Sequence, residues 1–273
     1  MMKSFYYFGD SFLHRLNPLS KILATAPLVM LALFATDPWT LAMFCTLFGL
    51  VTLLLGKIPL LHYSKIIIPL LIFSFIFVAT YPFFVSVELV GDTTIVFEAG
   101  PITVYWGGIV FAIVIALRMC TIIMSALLFS LTTNFNSFVS ALVQQWKVPY
   151  QIGYSVMAAY RFVPMLNFEL TVIRAAHKIR GIPDRGGLKI KLEQTKRYAI
   201  PLLSTAIRKA ERTALAMDSR AFGAFENRTY YRIYKFTRRD FLFISSIWLL
   251  GIAIVLILMY LGLFGQLLVF QML

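Results

Sequence analysis

Long uncharged apolar runs alternate with short polar breaks along most of this chain. The first run, Ile22 to Thr36, extends back to about Leu19, and Asp37-Pro38-Trp39 turns it into a second apolar block, Pro38 to Gly56. Lys57, His62 and Lys65 mark a basic connection. Ile66 to Val87 follows without a charge, long enough to cross hydrocarbon. A fourth block runs from Trp106 to about Leu131. The last, Phe241 to Leu273, has no charged residue, and its first two dozen residues suffice for a span. Residues 1–18, mixed and partly aromatic, read as an interfacial lead-in. The pattern predicts an all-α integral membrane protein of about five transmembrane helices.

Two stretches depart from that pattern. Residues 88–105 hold Glu88, Asp92 and Glu98 and no Lys or Arg, and β-rich Thr94–Phe97 and Ile102–Tyr105 flank a Gly-Pro turn. They predict a small β-hairpin. Residues 134–240 are neither apolar enough to span nor extensive enough for a separate enzyme. There Pro149 and Pro164 are expected to break the chain into pieces. From Met165 an apolar stripe of Met165, Phe168, Val172, Ala176 and Ile179 recurs at helical spacing, with Gly181 and Pro183 as a stop. A second stripe, Ala199, Leu203, Ala206, Ala210, Ala214, Met217 and Ala221, is small enough for another helix to approach closely. Each of these amphipathic helices closes on a triplet centred on arginine: Ile179-Arg180-Gly181 and Ser219-Arg220-Ala221. The chain thus divides into a membrane region (1–133), a region of amphipathic helices (134–240) and a final span (241–273).

Charge sets the orientation. Of the 25 Lys and Arg, 18 lie between Arg161 and Asp240 with 7 of the 12 Asp and Glu, so that stretch carries +11 of the net +13. With five spans the basic connection at 57–65, the basic region and the N-terminus share one side, and the acidic hairpin lies opposite. The positive-inside rule then places the first three in the cytoplasm and the hairpin and C-terminus outside. Phospholipid headgroups suit the excess charge, whereas a nucleic-acid surface does not suit so apolar a chain. Cys45 and Cys120 stand in separate apolar blocks and imply neither a disulfide framework nor a metal site. His14, His62 and His177 are scattered, no His-Glu-x-x-His appears, and no phosphate-binding Gly-x-x-x-x-Gly-Lys-Ser/Thr loop is present. No catalytic residue, cofactor site or metal site is expected.

In order along the chain stand Leu131-Thr132-Thr133, Ala141-Leu142, Val148-Pro149, Arg161-Phe162-Val163-Pro164, Glu169 and Ala176-His177-Lys178-Ile179-Arg180-Gly181-Ile182, then Ala216-Met217-Asp218-Ser219-Arg220-Ala221-Phe222. This series resembles the transmembrane T subunit of energy-coupling factor (ECF) transporters, the family of the cobalt-transporter membrane subunit CbiQ. The family's paired signatures are Ala-Arg-Gly or close variants; here both arginines and their small followers are present, without the leading alanine. The resemblance implies a non-catalytic subunit of an ATP-driven importer of the prokaryotic cell membrane, taking up a vitamin or a transition-metal ion. It implies that two coupling helices cross on the cytoplasmic side. Arg180 and Arg220 would each enter a groove on one of two ATP-binding-cassette ATPase subunits, which would bind the ATP and Mg. A separate membrane S subunit would bind the substrate.

The residues themselves leave alternatives. An arginine near a helix C-terminus also stabilises the helix dipole, and two such ends in one region favour partner contact over that role. Arg118, in mid-span, is either a polar contact to a neighbouring helix or subunit or a packing arginine satisfied by carbonyls or Ser/Thr side chains. Arg161 and Glu169 are placed to pair with each other in a structural role. A stand-alone secondary transporter is the alternative class, and it is expected to show repeat symmetry or broken helices about a midplane site. A non-transporting membrane scaffold is the third.

Overall fold

The computed structural model describes residues 7, 9–84, 95–99, 102–181, 188–225 and 229–263, with the backbone alone at 95–99, 102–104 and 188–192. These residues fall into two compact units, one of residues 142–234 and one formed by the chain before and after it.

The membrane unit opens with a single turn, α1 (Phe12–Arg15), and continues with α2 (Pro18–Phe34), α3 (Pro38–Leu54) and α4 (Leu60–Thr80). Proline begins both α2 and α3, where its missing N–H costs no intrahelical bond. A 3₁₀ turn, Tyr81–Phe83, ends α4. Strands β1 (Ile95–Ala99) and β2 (Ile102–Tyr105) pair antiparallel, Ala99 opposite Ile102 and Ile95 opposite Tyr105. Residues 88–94 and 100–101, expected in the same hairpin, lie outside the described residues. Helix α5 (Trp106–Thr132) follows, and after the second unit the chain returns as α9 (Arg238–Tyr260).

Helix α5 is the axle of this unit. Helices α2, α3 and α4 all pack on it, and α9 packs on α2 and α3. The buried core joins Leu28 of α2, Phe44 and Phe48 of α3, Leu128 and Leu131 of α5, and Phe243 and Ile247 of α9. The Thr121 hydroxyl donates across to the Leu41 carbonyl at 3.1 Å. The outward faces are apolar as well: Leu60, Leu61, Phe73 and Phe75 of α4 and Leu249 and Leu256 of α9 are exposed. In water such a surface would aggregate, whereas in lipid it needs no cover.

Among the described residues, four helices are long and apolar enough to cross a membrane: 60–83 counting the 3₁₀ turn, 106–132, Tyr150–Ile179 and 238–260. The chain is therefore a multi-pass membrane protein. This set differs from the expected five. Helices α2 and α3, with 17 residues each, fall at the short end for a span. The third run begins at Leu60 instead of Ile66, because His62 and Lys65 are taken into the first turns of α4. It ends at Thr80 instead of Val87, since Pro82 cannot continue the hydrogen-bond ladder.

Helix α6 (Phe135–Gln145) leads into the second unit, which holds its last turn together with α7 (Tyr150–Ile179) and α8 (Leu188–Asp218). Pro149 stands at the start of α7 as expected, but Pro164 does not break the chain, because α7 runs through it for 30 residues. One proline removes one donor and crowds one carbonyl, and a long helix absorbs that as a bend. Pro201 lies inside α8 in the same way. The unit closes where the Gln144 amide takes both backbone groups of the returning chain: its Nε2 donates to the Arg232 carbonyl and its Oε1 accepts from the Tyr234 N–H, each at 2.8 Å.

Candidate functional site

Helices α7 and α8 form an antiparallel pair in contact at three levels. At one end Tyr150 and Tyr154 meet Phe222 edge-to-face, with ring centroids 5.7 and 5.5 Å apart. Midway, Lys209 Nζ reaches Glu169 Oε1 at 2.6 Å. At the other end the His177 ring meets Tyr198 at 5.4 Å, and the Arg174 guanidinium lies over the same tyrosine. Residue numbers rise along α7 as they fall along α8. Arg180 is therefore at one end of the pair and Arg220 at the other, separated by about 40 Å of helix at 1.5 Å per residue.

The two triplets are built alike. Both arginines are exposed and make no ion pair among the described residues. The residue after each takes the left-handed conformation that terminates a helix: Gly181 at φ +73° and Ala221 at φ +54°. At the second end the Phe222 N–H closes back on the Met217 carbonyl at 3.0 Å, capping the last turn. Glycine at 181 thus has a local cause, because any Cβ is strained at such φ values, a strain that Ala221 bears. The result is a guanidinium held on a stiff terminal turn, with no internal acceptor to satisfy its donors.

The apolar stripes read from the sequence are not the faces that join the helices. The half-buried positions Leu166, Glu169, Leu170, Ile173 and His177 of α7 and Tyr198, Leu202, Thr205, Lys209 and Thr213 of α8 lie on the faces that carry the Glu169–Lys209 and His177–Tyr198 contacts. Phe168 (69% exposed), Val172 and Ile179 (88%), with Leu203, Ala210 and Ala214 of α8, stay uncovered. Both helices therefore carry a second apolar face that is not covered by the other helix of the pair.

The predicted pairing of Arg161 with Glu169 is not formed. Eight residues place them more than two turns apart, about 12 Å along the axis, and Glu169 takes Lys209 across the pair instead. Arg161 is exposed. Arg118, half-buried in α5, donates from Nη2 to the Ala35 carbonyl at 2.7 Å, the packing arrangement by carbonyl rather than a contact to an acid. Two buried charges escaped the sequence reading: Lys21, within the run extended back to Leu19, and Asp240, taken as a boundary residue; both are 1% exposed. The signal was present in Lys21 itself, a charge one turn inside an apolar block.

A family model described as cobalt transport protein (CbiQ) matches residues 9–231. The chain is 33% identical over 255 residues to the energy-coupling factor transporter transmembrane protein EcfT of Streptococcus thermophilus, covering 90% of this chain and 94% of that one. It is 28% identical over 267 residues to the protein of the same name from Lactococcus lactis subsp. cremoris (94% and 97% covered). The EcfT of Bacillus subtilis is 28% identical over 243 residues, with 86% and 89% covered.

Proposed function

Because the chain belongs to the CbiQ cobalt transport protein family, we propose that it is the transmembrane coupling subunit of an ATP-driven ECF-type importer. It has no catalytic role of its own. Two ATP-binding-cassette ATPase subunits bind ATP and Mg, and each receives one arginine-tipped helix end, Ile179-Arg180-Gly181 or Ser219-Arg220-Ala221. The open apolar face of α7 and α8 meets a substrate-binding membrane S subunit, and the substrate is a vitamin or a transition-metal ion. In this reading α2 and α3 cross the bilayer with α4, α5 and α9, and α7 belongs to the cytoplasmic coupling region despite its apolar composition. The N-terminus is cytoplasmic; the β-hairpin and the C-terminus are outside.

The observation that supports this reading most directly is the α7–α8 pair: two exposed arginines on capped ends, with an uncovered apolar face between them. A planar five-donor fork on a rigid turn suits acceptors in a groove. ATP-driven closure of the ATPases would move the two ends, and the difference in contact between open and closed states supplies the coupling free energy.

The test reverses each charge. Arg180→Glu or Arg220→Glu should weaken capture of the ATPase subunits about 10- to 100-fold, the loss expected when a charged hydrogen bond is removed, and the double variant should lose more. Unchanged co-purification of the ATPase subunits with the double variant would overturn the assignment.

A further inference from the structure

Lys21 and Asp240 are buried in the membrane unit and do not bond each other. Each spends its whole hydrogen-bonding capacity on a different junction. Lys21 Nζ donates to the Thr132 carbonyl at 2.9 Å, to Thr132 Oγ1 at 3.1 Å and to Thr133 Oγ1 at 3.0 Å, using all three protons. Asp240 Oδ1 accepts from the Asn17 N–H at 2.8 Å and the Ser20 hydroxyl at 3.0 Å. Its Oδ2 accepts from the Thr237 N–H at 2.8 Å and the Thr237 hydroxyl at 2.7 Å, so four donors converge on two oxygens.

The placement of these bonds along the chain gives them a meaning. Thr132 and Thr133 close α5, the last membrane helix before the 142–234 unit, and Thr237 to Asp240 open α9, the first after it. One short stretch, Asn17 to Lys21, therefore holds both strands of chain that connect the two units. We propose that this stretch is the mount of the coupling region: Lys21 and Asp240 are positioning residues that fix where the chain leaves the membrane helices and where it comes back. Apolar contacts alone would let these ends slide, because dispersion is not directional. A satisfied buried charge specifies one position, since any displacement leaves a donor or acceptor without a partner in low dielectric. That the mount also carries force rests on the coupling reading above; its existence does not.

Hydrogen exchange of the full-length protein in phospholipid nanodiscs, without ATPase subunits, tests the mount independently of that reading. Lys21→Met keeps the side-chain length and removes the donors. It should speed amide exchange at least tenfold in residues 133–141 and 235–241 while α3 keeps its wild-type protection. Thr133→Val removes one of the three acceptors and should give a smaller increase in the same two segments; it decides the matter if Lys21→Met does not fold. Unchanged exchange there, or a rise shared equally by α3, would overturn the proposal, the second outcome marking a role in general stability only. Failure of the arginine variants to affect ATPase capture would leave this result standing.

Discussion

Gly251 marks a close approach of two helices in the membrane core. It lies in α9 against Leu28 of α2, and a Cβ there would collide with Leu28 Cδ2 and fall 3.2 Å from Cδ1 and 3.3 Å from Cγ. Leu28 is 2% exposed, so its side chain has no open space to rotate into. Gly251→Ala forces either the leucine off its rotamer or the helices apart, at roughly 1–3 kcal/mol. Alanine's better helix propensity returns about 1 kcal/mol, which leaves a net loss of about 0–2 kcal/mol. Leu28→Ala alone opens a cavity and should cost about 2–5 kcal/mol. In the double variant the new methyl occupies part of that cavity and meets no leucine. Its loss should be smaller than the two single losses combined by at least about 1 kcal/mol, a coupling expected of residues in direct contact. Equilibrium unfolding of the purified chain in mixed micelles, with all four proteins on one denaturant axis, measures the cycle. Additive single losses would show that α2 and α9 do not meet as described.

The helix ends offer a pair of opposite signs. Ala221 holds a left-handed φ of +54°, so Ala221→Gly should stabilise that end by about 1 kcal/mol, read as slower amide exchange at residues 217–222. Gly181→Ala should cost about as much, by backbone strain alone, since nothing lies within 4 Å of the added Cβ. His14 gives a pH dependence. Burial lowers its pKa, against the opposing hydrogen bond to the Tyr7 carbonyl. The unfolded chain therefore binds the proton more readily, and this contribution to stability is complete above the ordinary histidine value of about 6.5 and is lost as pH falls through the lower folded value. Unfolding midpoints between pH 8 and pH 5 should fall less steeply for His14→Gln than for wild type.

The membrane helices were legible because a span advertises itself by the absence of charge, and that signal survives without knowledge of any neighbour. Their ends were less so. His62 and Lys65 look like a loop by charge, yet a helix can carry polar residues in its first turns where they reach the interface. The amphipathic pair shows a subtler failure. Phe168, Val172 and Ile179 form a true stripe, and periodicity identifies a face but not what covers it. In α7 the face turned to α8 includes Glu169 and His177, which a hydrophobic count rejects, because the Glu169 carboxylate finds Lys209 and the His177 ring packs edge-on against Tyr198 across the contact. The stripe that scores best is the one left open. The paired arginine ends came from motif order, which records their number and spacing; the reason for the glycine at 181 needed its φ value.

Where the positive charges end up separates two kinds of work. Lys21 is taken out of water with all three donors on the Thr132 and Thr133 groups of the same chain, and half-buried Arg118 gives Nη2 to the Ala35 carbonyl, so these bonds hold helices of one chain together. Arg180 and Arg220 stand exposed at opposite ends of a helix pair, their forks uncommitted to any acid among the described residues. An exposed arginine adds little to the stability of its own chain. Two of them on capped, conformationally fixed ends make sense as contacts with something else. Their separation constrains that partner: a groove sized for one guanidinium cannot serve both across about 40 Å of helix. In the coupling reading proposed above, the two ends take two binding surfaces, either on two copies of one protein or on a pair of related ones, and closing that pair would turn this helix hairpin as a lever.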